Sequence, residues 1–119
     1  MNDRTHQKTA SLLTIGKRVQ QVSIGLFDAQ LAFEDVHLRF DASYLLTQSG
    51  SPEVRLHAAV PDNSKKLVFL LGVLVQRLDI GKCGDLTVLF GDGSLIRVNV
   101  IEENISSYAL WGEKFFVGY

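Results

Sequence analysis

The chain holds 119 residues with 46% hydrophobic and 21% charged side chains, enough apolar surface for one compact domain and too much for a disordered chain. A net charge of −1 and a pI near 6.3 exclude a binder that works mainly by neutralising phosphates. The single cysteine, Cys83, excludes an internal disulfide framework and a multi-cysteine zinc site.

Met1 to Lys8 is polar and of mixed charge, without the apolar stretch of a secretory signal. Thr9–Thr14 reads as a short helix stopped by Gly16. Val22 and Ile24 alternate with polar neighbours, the pattern of a half-buried strand. Leu31 and Phe33 begin a second strand. Leu38-Arg39-Phe40-Asp41 is a third, with Arg39 outward by alternation. A linker from about Gln48 to Asn63 carries both prolines, Pro52 and Pro61. Between them Val54–Val60 fits an edge strand. Asn63 or Ser64 caps a second short helix that shows Leu67, Leu70 and Leu71 on one face and ends at Gly72. Leu78/Ile80, Val88/Phe90 and Ile96–Val100 then give three more strands, with Arg97 outward. Gly91-Asp92-Gly93 signals a type I′ hairpin turn. Phe115, Phe116, Val117 and Tyr119 would be costly to leave in water, so 108–119 is expected to pack as one final strand. The longest apolar run, Leu67–Val75, is shorter than the roughly 20 residues of a membrane helix.

These elements repeat. Ile15-Gly16-Lys17-Arg18-Val19-Gln20 sets against Leu71-Gly72-Val73-Leu74-Val75-Gln76, and Phe33-Glu34-Asp35 against Phe90-Gly91-Asp92. The shared Gly-x-x-Val-Gln and Phe-x-Asp spacings imply a duplication, with copies over about 9–47 and 64–105. The expected fold is α+β and mostly β. Two repeated three-stranded antiparallel meanders share one core as a single sheet or partly closed barrel, with one or two short helices.

Few residues suggest chemistry. His37 lies beside Glu34 and Asp35, the nearest approach to a metal or acid–base cluster, and a solvated turn explains it as well. His57 faces solvent on the edge strand. Cys83 sits in Gly81-Lys82-Cys83-Gly84-Asp85, where a neighbouring lysine can favour the thiolate, but no histidine is placed as its base. Gly81-Lys82 is not a phosphate loop: Gln76 stands at the first glycine's place and Cys83 at the hydroxyl residue's. The basic pairs Lys17-Arg18 and Lys65-Lys66 lack interleaved aromatics. No catalytic residue, cofactor or metal is therefore expected. Carboxylates gather at turns: Glu34, Asp35 and Asp92 at matching hairpin tips, Asp79 and Asp85 around Gly81, and Glu102 and Glu103 after the last meander strand. They serve either turn chemistry and solubility or an acidic rim for a basic partner. Tyr108 and Trp111 either close the core or anchor a partner.

The stretch Leu71-Gly72-Val73-Leu74-Val75, the hairpin Phe90-Gly91-Asp92-Gly93-Ser94-Leu95 and the tail Tyr108-Ala109-Leu110-Trp111 together resemble a family of small bacterial proteins catalogued as a domain of unknown function. The family pattern is Leu-Gly-x-x-Val, Phe-x-Asp-Gly-x-x-Leu and Tyr-x-x-Trp, from which Leu95 departs by falling one place early. The resemblance spans Leu70 to Trp111, with a fainter echo from Ile15 to Leu38. Such proteins are similar in size and setting to cytoplasmic immunity proteins, which implies a non-enzymatic binding role. The expected function is neutralisation of a cognate toxin domain by occlusion, through Glu34, Asp35, Asp92, Glu102, Glu103 and Trp111. No nucleic acid or membrane partner is expected. A self-associating β protein, dimeric through an edge strand or the aromatic tail, and a small enzyme using Cys83 or His37 are the alternatives.

Overall fold

The computed structural model describes residues 4–100 and 106–119. Its elements are α1 (Arg4–Thr14), β1 (Val19–Ile24), β2 (Ala29–Phe33), β3 (Val36–Phe40), β4 (Ser43–Thr47), β5 (Val54–His57), α2 (Pro61–Ser64), a 3₁₀ helix (Lys65–Leu70), β6 (Val75–Ile80), β7 (Leu86–Phe90), β8 (Leu95–Val98), β9 (Tyr108–Trp111) and β10 (Phe116–Gly118). The fold is α+β and mostly β.

The strands form two antiparallel sheets of five. Sheet I runs β1-β2-β3-β9-β10 and sheet II runs β5-β4-β8-β7-β6. The expectation of one sheet or a partly closed barrel is thus corrected. The reason is where the chain goes after each meander. After β3 it crosses to sheet II, where β4 pairs with β8; after β8 it returns to sheet I, where β9 pairs with β3. Each meander is completed by a hairpin from the other part of the chain. The tail, expected as one strand, is such a hairpin, β9 with β10.

Alternation builds the core. Ala29, Leu31 and Phe33 of β2, Val36, Leu38 and Phe40 of β3, and Leu86, Val88 and Phe90 of β7 are buried at every second position. Both sheets feed one apolar cluster. Phe33 and Phe90 meet there with ring centroids 6.4 Å apart. Fully burying such side chains supplies about 2–3 kcal/mol each, the main drive for the fold.

The sheets are also joined by backbone. Residues 16–19 and 72–75 run antiparallel, with Arg18 opposite Leu74. Four bonds tie them: Gly16 N to Val75 O at 2.7 Å, Val75 N to Lys17 O at 2.8 Å, Val19 N to Val73 O at 3.0 Å and Gly72 N to Val19 O at 2.8 Å. Directly after this crossing each chain bulges, at Gln20 in β1 and Gln76 in β6. The helices lie along the sheet edges. The Ser11 hydroxyl of α1 donates to Leu78 O of β6, and Gln7 Nε2 donates to the Tyr119 hydroxyl beyond β10. In α2, Asn63 Oδ1 accepts from His57 N of β5.

Two further expectations change. Leu67 and Leu70 are buried, but Leu71 is half exposed, because the second helix is 3₁₀ in form and ends at Leu70. The Gly91-Asp92-Gly93 turn is not type I′: among its residues only Gly93 has positive φ, at +89°. Gly93 N donates to Phe90 O and Phe90 N to Ser94 O, a type I turn followed by a left-handed residue, the usual three-residue hairpin. Among the described residues no helix is long and apolar enough to cross a membrane.

Candidate interaction surface

The outward face of sheet I carries the side chains that the core does not use. Register fixes two rows across it. Gln21, Ala32, His37, Trp111 and Phe116 stand opposite one another on β1, β2, β3, β9 and β10. Ser23, Gln30, Arg39, Ala109 and Gly118 form the neighbouring row. Within the first row the His37 and Trp111 rings stack, with centroids 5.4 Å apart and planes 21° from parallel. The Arg39 guanidinium sits 5.8 Å from the Trp111 ring centroid, within cation–π range. Phe116 lies over Gly118, where an added Cβ would come 2.9 Å from its ring. Phe116 is 54% exposed, although it is a large apolar side chain.

This face is aromatic and close to neutral. Arg39 Nε donates to Asp41 Oδ1 at 2.8 Å and its Nη2 to Asp41 Oδ2 at 3.2 Å. Asp41 also accepts from the Ser106 hydroxyl at 2.6 Å. The arginine is therefore held over Trp111 with its charge already answered, and it offers little to a phosphate. The surface suits apolar and aromatic contacts with a polar surround, the composition of an interface hot spot.

Of the six residues expected to bind a partner, the four that the structure describes are not all brought together. Glu34 and Asp35 occupy the β2–β3 turn, where Glu34 takes φ of +60°. Glu34 Oε2 accepts from Arg18 N at 3.2 Å, and Asp35 is ion-paired with Lys17. The bonded Lys17 ammonium holds the Asp35 carboxyl below its ordinary range. Asp92 lies on the other sheet, and its Oδ1 accepts from Ser94 N at 2.9 Å to brace its own turn. These three carboxylates are engaged within the fold, which fits the turn-chemistry reading better than a free acidic rim. Glu102 and Glu103 lie outside the described residues. Asp35 and Trp111 do share one end of sheet I: Asp35 O would lie 3.6 Å from a Cβ on Gly112.

The two readings of the tail divide between its residues. Tyr108 is fully buried and its hydroxyl donates to Gly84 O, so it closes the core. Trp111 points to the outer face instead. His37 stacks on Trp111 in the aromatic row. His57 is exposed, and its Nδ1 accepts from Ala59 N. Cys83 is exposed in the β6–β7 turn. Among the described residues no group of three His, Cys, Asp or Glu side chains is placed to hold a metal.

Phe116, expected to pack out of water with the rest of the tail, is instead exposed because alternation on β10 turns it to the outer face, and the hairpin tip Leu26-Phe27 was not singled out by the sequence. Leu26 is 73% and Phe27 78% exposed, in the turn between β1 and β2. The available signal was an apolar pair flanked by Gly25 and Asp28, a turn composition with the wrong side chains for a solvated loop. Compared with family models, curated proteins and solved structures, the chain has no match in any of the three.

Proposed function

We propose that the protein is a non-enzymatic protein-binding module that docks through the outer face of sheet I. The observation that carries this reading is the row Ala32–His37–Trp111–Phe116 on the outer face of the sheet, in which His37 and Trp111 are half-buried and Phe116 is exposed. Exposed aromatics on regular elements lose little entropy on docking and dominate interface energies. In its specific form the reading is an immunity protein that occludes a cognate toxin domain in the cytoplasm. Small size and the sequence resemblance support that form. The acidic rim supports it less, since Glu34, Asp35 and Asp92 have partners within the chain.

The same reading takes β1–β3 and β6–β8 as copies of one meander. It is supported by the bulges at Gln20 and Gln76, by Arg18 pairing with Leu74, and by the contact of Phe33 with Phe90. The test is co-expression of the full chain with toxin domains encoded beside its gene, scoring growth rescue and a co-purifying complex. Rescue by the natural chain and its loss in Trp111→Ala are expected. No complex and no rescue with any such domain overturns the toxin-neutralising form.

A further inference from the structure

Each sheet ends in a hairpin, β9–β10 on sheet I and β4–β5 on sheet II, and the two ends are finished differently. By register, Leu110 opposite Leu38 on sheet I corresponds to Leu46 opposite Ile96 on sheet II. Val117 opposite Leu110 then corresponds to Val54 opposite Leu46, and two residues earlier Phe115 corresponds to Pro52. On sheet I the hairpin loop has four residues, 112–115, and Phe115 turns into the core with Val117 fully buried beside it. On sheet II the loop has six residues, 48–53, Pro52 is exposed and Val54 is 36% exposed. The proline leaves a cleft of about 420 Å³ between this loop and the 3₁₀ helix, floored by Leu46, Val54 and Phe69. The hollow left at the sheet I end is smaller, about 260 Å³, and there Lys17 and Asp35 neutralise each other.

We propose that the sheet II cleft binds a small aromatic carboxylate, its ring taking the place that Phe115 takes in sheet I and its carboxylate meeting Lys65 and Lys66. The site is separate from the outer face of sheet I and does not rest on the docking role. The ring is argued from the corresponding hairpin, where the same position between strand and helix is filled by an aromatic side chain. The charge is argued from the cleft wall. Lys65 and Lys66 line it, and no carboxylate does. Lys65 shares the exposed Asp62 at 3.1 Å, while Lys66 has no ion pair among the described residues. Glu53, beside the mouth, is engaged by Arg97. The mouth is thus net positive, and an anion is the complementary ligand. The cleft has the size and the apolar floor of a small-molecule site, with a few polar groups to fix orientation. A protein partner fits less well, because lysines and carboxylates of the kind around this mouth are depleted from interface cores.

The experiment titrates the full chain with 3-phenylpropanoate, followed by methyl NMR and by the thermal midpoint, with 3-phenylpropanamide as the neutral control. Saturable shifts at the Leu46 and Val54 methyls are expected, with Kd below about 1 mM for the carboxylate and about tenfold weaker binding of the amide. The carboxylate should also raise the thermal midpoint, since it binds only the folded chain. K65A/K66A changes two exposed side chains and should reduce carboxylate binding to the level of the amide. Pro52→Phe should fill the cleft as Phe115 fills its counterpart, abolishing binding without lowering the thermal midpoint. No saturable shift at these methyls up to about 10 mM carboxylate overturns the site. Equal binding of acid and amide, or undiminished binding by K65A/K66A, overturns the anionic ligand class and the proposal with it. Full binding by folded Pro52→Phe overturns the correspondence with Phe115. Shifts at these methyls on concentrating the protein alone, without a response to the carboxylate, give the cleft to a second copy and overturn the proposal likewise.

Discussion

The two sheets use similar inner faces and very different outer ones. Inside, β2 and β7 bury alternate residues ending in Phe33 and Phe90, which touch. Outside, sheet I shows Ala32, His37, Trp111 and Phe116 in a row, while sheet II shows Arg55, Leu45, Arg97, Thr87 and Asp79. Two of the arginines on sheet II are ion-paired. Arg97 makes a two-pronged contact with Glu53, and Arg77 pairs with Asp79 at 2.7 Å. Exposed pairs of this kind contribute at most about 1 kcal/mol, so they keep the face soluble rather than hold the fold. The hairpin tips differ in the same sense: Leu26-Phe27 on sheet I is bare, while Gly84 on sheet II is locked under Tyr119. Since sheet II folds with a polar exterior, an aromatic exterior is not a structural requirement of such a sheet. Its presence on sheet I alone supports the docking role proposed for that face.

The strongest way to break the comparison is through the shared core. Phe33→Ala and Phe90→Ala should each cost about 3–5 kcal/mol, because each leaves a cavity against the other ring. Urea denaturation followed by fluorescence and by far-ultraviolet dichroism should give coincident single transitions in both variants. Two separated transitions would show that the sheets do not form one cooperative unit.

The tips give the next largest contrast. Gly84→Ala places a Cβ within 2.5 Å of three Tyr119 ring atoms at a residue with φ of +94°, and should cost about 3 kcal/mol. L26S/F27S should leave stability within about 0.5 kcal/mol. Equal losses at the two tips, read from urea midpoints, would mean that Leu26 and Phe27 pack in a way their exposure does not suggest. The outer faces come third. Trp111→Ala should remove about 2 kcal/mol of partner affinity, and Thr87→Ala on sheet II none. Trp111 is the only tryptophan, so its emission reports occupancy of the face directly.

Much of the fold was legible in the sequence because alternation and turn residues are local signals. The antiparallel strands β1–β3 and β6–β8, the helix stop at Gly16 and the outward Arg39 and Arg97 followed from spacing. The crossing of β4 and β9 to the opposite sheets did not, since strand pairing is a long-range choice that alternation does not encode. One clue was present: Tyr44-Leu45-Leu46 and Tyr108-Ala109-Leu110 share a pattern, and both tyrosines are buried. The outer face was half legible. Trp111 stood out by its type, but the register that sets it beside His37 and Phe116 depends on β9 pairing with β3. Of the acidic residues conspicuous in sequence, Glu34, Asp35 and Asp92 each bond a backbone or lysine donor within the fold, a local role that their turn positions already suggested.

Tyr44 and Tyr108 give the finest test, because each closes the core from a different sheet. The Tyr44 hydroxyl bonds the Ser64 hydroxyl at 3.0 Å and the Tyr108 hydroxyl donates to Gly84 O. Burial raises both phenol pKa values above the ordinary 10.0, and Tyr108 is pushed further by Tyr119 and Asp85 beside it. The folded protein therefore keeps both phenols neutral at a pH where the unfolded chain ionises them. Their stabilisation is complete below about pH 10 and is lost as the pH rises beyond it. Tyr108→Phe should cost about 1 kcal/mol at pH 8, for one buried hydrogen bond, yet lose less stability than the natural chain between pH 8 and pH 11. Tyr44→Phe should show the same crossover more weakly. Urea midpoints at the two pH values decide it, and a decline parallel to that of the natural chain in both variants would mean that neither phenol is kept neutral by the fold.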